Sequence, residues 1–334
     1  LYKPNGRTVM SKKKYLVTGG TGFIGAALVK SLISAGNSVR VLDNNSRGQV
    51  QRLDGFLDDV ELIKGDIRDY ESVSKAAKGV DSVCHLAYIN GTEFFYEKPD
   101  MVLDVGVKGM INVIDACKQH GVGEIITASS SEVYQTPDII PTDERVPMVV
   151  PDPMNPRYSY GGGKLISELM TINYGRVDFD RVMIFRPHNV YGKDMGFEHV
   201  IPQFSMRAGR LLNNQTKGPV KFNIQGDGSE TRAFVHIDDF TNGLMTILEK
   251  GEHLNIYNIG NDEEVSIKSV AELIFNHLGG DYEIVSGELL KGGTNRRCPN
   301  IDKLKTLGYS PSIPLKDGIG SVVDWYVDFV NKNK

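Results

Sequence analysis

Tyr160 and Lys164 stand at i and i+4, a spacing that on a helix brings both side chains to one face. An ammonium beside a phenol favours the phenolate and lowers its pKa towards neutrality, so Tyr160 can act as a general base or acid. Alone, an incidental Tyr and Lys explains such a spacing more often than a catalytic pair does. The residues between them are Gly161, Gly162 and Gly163. Each costs up to ~1 kcal/mol in a helix relative to Ala, so tertiary contacts or a ligand must hold the segment, and close approach of a cofactor is one such reason. Upstream, Ser129-Ser130-Ser131-Glu132-Val133-Tyr134 follows the expected strand Glu124 to Ala128. Open α/β sheets hold ligands at strand C-terminal ends, where a serine can share a hydrogen bond with the phenol and a substrate hydroxyl. The plainer alternative is a polar strand-to-loop turn.

Thr18-Gly19-Gly20-Thr21-Gly22-Phe23-Ile24-Gly25 forms a second constellation. Glycines at 19, 22 and 25 let the backbone turn tightly and approach a pyrophosphate, which then meets the N–H groups and dipole of a helix N-terminus. A lone match could equally be an ordinary Gly-rich turn. Asp43 supplies the second element, about 20 residues on at the end of the next strand. A carboxylate there accepts hydrogen bonds from the adenosine ribose diol and repels a 2′-phosphate, which favours NAD over NADP; Arg47 nearby argues the other way. Asp66, in Gly65-Asp66-Ile67-Arg68-Asp69, suits either the adenine edge or a helix N-cap.

The elements that must carry these residues alternate. Tyr15 to Val17, Val39 to Leu42, Val60 to Ile63, Ser82 to Leu86, Glu124 to Ala128 and Val182 to Phe185 have strand character. Helical patterns run from Phe23 to Ala35-Gly36, around Val73 to Ala77, and from Val107 to Gln119. Strand, helix, strand at this spacing predicts βαβ units and a parallel sheet covered on both faces. After about residue 190 the strands shorten (Lys221 to Ile224, Ala233 to His236, Tyr257 to Ile259) and polar turns thicken. The expected fold is α/β: a Rossmann-type doubly wound parallel sheet over 12–190, with strands returning from about 221–260, and a smaller C-terminal α/β substrate domain over 191–334. Pro137 to Pro156 is the longest irregular segment, and long loops of that kind are often functional.

Composition excludes several classes. Of 334 residues 40% are hydrophobic and 24% charged, with a net charge of −4; that balance lacks the basic excess of a nucleic-acid binder. No apolar run approaches the ~18 residues of a membrane span. Cys84, Cys117 and Cys298 are scattered and odd in number, which argues against a disulfide framework and fits a reducing cytoplasmic compartment. His85, His199 and His236 lack metal-ligand spacing, so no metal site is expected. Residues 1 to 14 have no apolar h-region, and Met10 has the look of a start, which would make the preceding residues an extension. Phe94-Phe95-Tyr96 is expected to be a loop cluster against the second domain.

Taken in order, these landmarks spell a family. From about Lys14 to the C-terminal helix the chain resembles the extended short-chain dehydrogenase/reductases, in particular the nucleotide-sugar epimerase/dehydratase group. The resemblance is carried by TGGTGFIG at 18–25, LDNNSRG at 42–48, GDIRD at 65–69, HLA at 85–87, SSSEVY at 129–134, YGGGK at 160–164, RPHNVYG at 186–192, QGDGSETRAFVHIDD at 225–239 and RRCPNI at 296–301. It implies an enzyme whose bound NAD oxidises the sugar at C4 to a 4-keto intermediate and later returns the hydride. Tyr160 would take the C4 hydroxyl proton, Lys164 would bind the nicotinamide ribose and tune Tyr160, and Ser130 matches the catalytic Ser or Thr. Phe23, Ile24, Asn44, Ile67, Leu86 and Ala87 would join Gly19, Gly22, Gly25, Asp43 and Asp66 around the cofactor. Ser131 and Asn189 would contact the nucleotide-sugar, and Arg232 and Arg297 would clamp its nucleotide and diphosphate, which suits a guanidinium fork. The family commonly dimerises through a four-helix bundle, here by helices over Val107–Gln119 and Gly163–Asn173.

The departures concern the substrate. Gly106 replaces a usual asparagine, His188 a common aromatic such as Phe, Lys193 a frequent Pro, and Gly163 stands at the usual small residue before the lysine. Glu132 bears on the outcome. Simple C4 epimerases often carry a small or neutral residue there, whereas 4,6-dehydratases and uronate decarboxylases often carry Glu, and Ser131 before it matches the decarboxylases and GDP-mannose dehydratases. Glu132 could equally be a wall residue. C4 epimerisation of an NDP-hexose or NDP-hexuronate is the favoured expectation, with Glu132-assisted dehydration or decarboxylation as the alternative. A dinucleotide-sensing regulator, which would commonly lose the Tyr–Lys pair, is the remote one.

Overall fold

A computed structural model describes residues 12–215, 217–288 and 295–333; Met10 and the stretch before it lie outside them. The first half runs β1 (Lys14–Thr18), α1 (Phe23–Ser34), β2 (Ser38–Asp43), β3 (Val60–Lys64), α2 (Tyr70–Ala77), β4 (Ser82–His85), α3 (Thr92–Glu97), α4 (Pro99–Leu103), α5 (Gly109–His120), β5 (Glu124–Ala128), α6 (Tyr158–Asp178) and β6 (Arg181–Pro187). The second half adds β7 (Val190–Tyr191), α7 (Val200–Asn213), β8 (Val220–Ile224), β9 (Thr231–Ala233), β10 (Val235–His236), α8 (Ile237–Lys250), β11 (Asn255–Ile259), β12 (Glu264–Ser266), α9 (Ile267–Leu278), β13 (Tyr282–Ser286), β14 (Arg296–Arg297), α10 (Asp302–Lys305) and α11 (Leu315–Lys332).

Seven strands form one sheet in the order β3-β2-β1-β4-β5-β6-β11, and every pairing is parallel. The order reverses between β1 and β4, the crevice where doubly wound sheets bind dinucleotides. Side-chain alternation sorts β1 between two cores. Tyr15 and Val17 face a cluster with Leu28, Val29 and Leu32 of α1 and Phe240, Leu244 and Ile247 of α8. Leu16 faces the opposite cluster, with Val73 and Ala76 of α2 and Met110, Val113 and Ile114 of α5. Burying each such side chain contributes about 1.5–3 kcal/mol. The central strands β4 and β5 are buried throughout, whereas edge strand β3 keeps only two of its five residues from full exposure.

A third core joins α7, α9 and α11 to β8 and β13 through Phe204, Phe222, Ile274, Val323 and Tyr326. Of the strands expected to return between 221 and 260, only β11 enters the central sheet; β8 pairs with β13, and β9 lies between β12 and β14. The helix expected over Val107–Gln119 begins at Gly109, and a π-turn at Asp104–Lys108 joins it to α4. Phe94 to Tyr96 belong to α3 rather than to a loop. The 137–156 segment is irregular as expected, and Thr142 ties it to the C-terminal segment by accepting from Asn300 N (2.8 Å) and donating to Cys298 O (2.9 Å).

Candidate active site

A cleft of about 1280 Å³ runs along the C-terminal ends of the parallel strands and is closed on its far side by residues of the second half. Every residue assigned from the sequence to catalysis, cofactor or nucleotide-sugar lines it: Gly19, Gly22, Phe23, Ile24, Gly25, Asp43, Asn44, Asp66, Ile67, Leu86, Ala87, Ser130, Ser131, Glu132, Tyr160, Lys164, Asn189, Arg232 and Arg297; the departures Gly106, Gly163, His188 and Lys193 are not among its lining residues.

At the dinucleotide end, Gly19 has φ +74, and a Cβ there would meet the Ala87 backbone at 2.8 Å. A Cβ on Gly25 would fall 2.1 Å from the Gly19 carbonyl, so α1 packs directly on the turn that precedes it. The N-terminus of α1 carries no side-chain cap, which leaves its first amides for an anion. Asp43 orders the loop by accepting from Thr21 N (3.1 Å) and Asn45 N (2.8 Å), and a carboxylate retains further lone pairs for a diol. This cradle of bare backbone, open helix end and ordered carboxylate fits an adenine dinucleotide. Asp66 is gripped by the Arg68 fork (3.0 and 2.8 Å), with Asn44 Nδ2 at 3.0 Å. The Arg68 hydrogen bond, chiefly, lowers its carboxyl to about 2. The cap of α2 is Asp69, which accepts from Ser72 N, so the N-cap reading of Asp66 is corrected.

At the reacting end, α6 presents Tyr160 and Lys164 on one face. Ser130 opens a 3-10 turn, accepting from Glu132 N at 3.2 Å, and its side chain lies on the Tyr160 side of the cleft. Phe95 stacks on the Tyr160 ring, centroids 4.9 Å apart. Burial pushes the phenol up to about 12, and the Ser130 hydroxyl acts in the opposite direction. Burial also pulls Lys164 down to about 7, with Glu168 opposing. Lys164 Nζ donates to Ala128 O at 2.6 Å. In this structure burial therefore decides the level of the phenol, not the neighbouring ammonium as the spacing suggests. Two of the three glycines between them also have another reason than cofactor approach. A Cβ on Gly161 would meet Gln135 Nε2 at 2.7 Å and Glu132 O at 3.0 Å, and one on Gly163 would meet the Tyr88 hydroxyl.

Beneath Lys164 lies a buried ion pair. Arg186 donates to Glu168 through Nε (2.8 Å) and Nη2 (2.6 Å) and to the Tyr134 hydroxyl through Nη1 (2.6 Å). Ser129 also donates to Glu168. This network fastens α6 to β5 and β6; its sequence signal is Glu168 at i+4 from Lys164. His188 is buried against Asn258 (3.1 Å), and burial lowers it to about 3, so it is a neutral packing group.

At the far end, Arg232 of β9 and Arg297 of β14 are register partners in a parallel pair, so both reach the same side. Arg297 Nη1 donates to Glu132 Oε1 at 2.6 Å. Burial opposes ionisation of Glu132, yet Arg297, with Arg157 and Arg232 behind it, holds its carboxyl below the ordinary range. Asn189, at φ +40, donates to Ala233 O at 3.0 Å.

The NAD dependent epimerase/dehydratase family matches residues 15–260. The chain belongs to this family. It is an NAD-dependent enzyme, which sets aside the regulator alternative. A putative UDP-glucose 4-epimerase of Methanocaldococcus jannaschii is 33% identical, covering 93% of this chain and 97% of that protein. UDP-glucuronic acid decarboxylase 1 of Xenopus tropicalis is 30% identical, over 94% of this chain and 72% of its own. The dTDP-glucose 4,6-dehydratase of Streptomyces venezuelae, solved with NAD bound, superposes with a TM-score of 0.81 at 28% identity, covering 93% of this chain and 96% of that one. Epimerases, decarboxylases and dehydratases thus share this epimerase/dehydratase framework, and no helix among the described residues is long and apolar enough to cross a membrane.

Proposed function

We propose that this enzyme is a nucleotide-sugar epimerase acting through a transient 4-keto sugar, most simply inverting C4 of an NDP-hexose or NDP-hexuronate. The observation that carries the choice is Glu132. It is engaged by Arg297 at 2.6 Å and held as a carboxylate below its ordinary range. A carboxylate so stabilised is a poor base for a C5 proton, because efficient bases have pKa values near the working pH. Glu132 then serves as a wall residue that orients Arg297.

NAD, when bound, supplies reversible two-electron oxidation at C4. Gly19, Gly22, Phe23, Ile24, Gly25, Asp43, Asn44, Asp66, Ile67, Leu86 and Ala87 hold it, with Asp43 on the adenosine ribose. Tyr160 takes and returns the C4 hydroxyl proton, Ser130 hydrogen-bonds phenol and sugar, and Lys164 bonds the nicotinamide ribose. Asn189 and Ser131 bind the nucleotide-sugar, and Arg232 with Arg297 neutralises its diphosphate. In this reading residues 12–190 hold the cofactor, and 191–334 bind the nucleotide-sugar together with Ser131 and Asn189 at the domain edge. Exposed Ile111 of α5 and Ile166 and Leu169 of α6 support a homodimer through those helices, and three buried free cysteines accord with a cytoplasmic setting.

The alternative retains 4-oxidation and adds dehydration or decarboxylation through Glu132. The ionised state of Glu132 near neutral pH favours it in one respect, since a base must be deprotonated. Mass spectrometry of products from a panel of nucleotide-sugars separates the two. A product of unchanged mass but altered chromatographic mobility is expected; loss of water or carbon dioxide overturns the epimerase reading.

A further inference from the structure

Tyr88 follows β4 into the cleft, and neither its type nor its position marks it from the sequence. Its ring stands edge-on to that of Tyr160, with centroids 5.2 Å apart at 88°. Lys164 Nζ sits 3.9 Å from the Tyr88 centroid, against 5.9 Å from that of Tyr160. The Tyr88 hydroxyl reaches between the π-turn and α6, where a Cβ on Gly106 and a Cβ on Gly163 would each fall 2.1 Å from it. That hydroxyl is buried and has no hydrogen-bond partner among the described residues. Two missing side chains on separate elements are therefore explained by one ring. π-turns often mark functional positions, and this one carries Gly106.

We propose that Tyr88 is a positioning residue for the reaction: its ring face holds the Lys164 ammonium, its edge orients the Tyr160 ring, and Gly106 and Gly163 lack side chains in order to seat it. The groups around Lys164 leave this task to the ring. Glu168, on the same helix, is committed to Arg186. His85 of β4 bonds Thr18 and is held neutral by burial and by Lys164 itself. Ala128 supplies one carbonyl, Ser130 accepts from Glu132 N, and Ser129 donates to Glu168. An aromatic face attracts an ammonium without accepting its proton, so it stabilises the charge and leaves for a ribose the N–H groups that Ala128 O does not take. The inference rests on the reading that Tyr160 and Lys164 perform the reaction.

The test compares Tyr88→Phe with Tyr88→Leu, both checked for a cooperative thermal transition. Competitive acetylation of Lys164 across pH, read by mass spectrometry, reports the ammonium without any substrate. Removing a charge-stabilising face moves the labelling midpoint down, by about 0.5–1.5 pH units for a cation–π contact. The expected result is that Leu shifts the midpoint down and cuts kcat by about 10-fold or more, while Phe matches wild type in both. Gly106→Ala is expected to reproduce the Leu phenotype, and adding it to Tyr88→Leu to cost little more, as for coupled neighbours. A midpoint unchanged or raised in the Leu variant overturns the proposal, as does a Phe variant as impaired as Leu. A normal midpoint shift in a protein that turns over no nucleotide-sugar instead condemns the functional reading and leaves the positioning role standing.

Discussion

Lys164 and Arg297 are cations on opposite walls of one cleft, and their surroundings treat charge in opposite ways. Lys164 rests on a backbone carbonyl and an aromatic face; among the described residues no carboxylate lies within ion-pair distance of it, and burial draws it to about 7. Arg297 is set against Glu132, where charge outweighs burial. The reacting wall is built from the ends of fully buried central strands. The arginine wall is built from strands of two and three residues. An ammonium held by a carbonyl and a ring face keeps its field on the neighbouring phenol, because no carboxylate among the described residues neutralises it. A group that must hold a diphosphate gains from a charge that never titrates. The contrast teaches that one cleft can tune by desolvation at one end and by ion pairing at the other.

The sharpest break would come at the phenol. Tyr160→Phe is expected to lower kcat by about 10²–10⁴-fold with NAD still bound, measured by turnover and by cofactor content. Turnover near wild type would remove Tyr160 from the chemistry.

The next effect is on stability. Lys164 has a folded pKa depressed to about 7 from its ordinary 10.5, so between those values the unfolded chain binds more protons than the folded one. Stability attributable to this residue therefore rises with pH across that window, by up to about 1 kcal/mol per pH unit. Denaturant titrations at pH 7 and 9.5 should show this rise in wild type and lose it in Lys164→Met, which gives up activity. Parallel behaviour of the two proteins would mean that Lys164 is not desolvated.

On the opposite wall, Arg297→Ala is expected to raise KM on the order of 10–100-fold, the loss of a charged hydrogen bond to substrate, with a much smaller change in kcat. An equal loss in kcat would place Arg297 in the reaction itself. The smallest effect should follow Glu132→Gln: kcat falls less than about 10-fold, and stability drops by about 1 kcal/mol. The folded pKa of Glu132 is depressed, so its contribution is complete above the ordinary glutamate value and fades as pH falls through the lower folded one. The stability gap between wild type and Glu132→Gln should thus close in acid, and a kcat collapse would move Glu132 from the wall into the mechanism.

Much of this was legible from residue pattern. The expected strand at Glu124 to Ala128 is β5, legible because a strand covered on both faces carries a mostly apolar stretch, here Ile125 and Ile126, between turn signals. The Gly19–Gly25 turn was legible because tight turns and close helix packing exclude side chains wherever they occur. Tyr160 and Lys164 share a face for the same local reason, the pitch of a helix. The return of only β11 to the sheet was not legible, since the partner of a short strand depends on which edge is open. Nor was the Glu132–Arg297 contact, whose residues are joined only by folding.

What the sequence by itself determined is therefore the local geometry: which segments extend, which coil, where backbone must lie bare, and which side chains share a helix face. The tertiary structure alone decided the electrostatics. It brought Arg297 to Glu132 through the β9–β14 register, and it placed the Tyr88 ring on Lys164 through the gap left by Gly106 and Gly163. It also stripped water from Tyr160, so that its phenol moved opposite to the direction the neighbouring lysine suggests. Periodicity is a property of neighbours in the chain. Desolvation and charge pairing depend on neighbours in space, and those exist only once the sheet has closed over its helices.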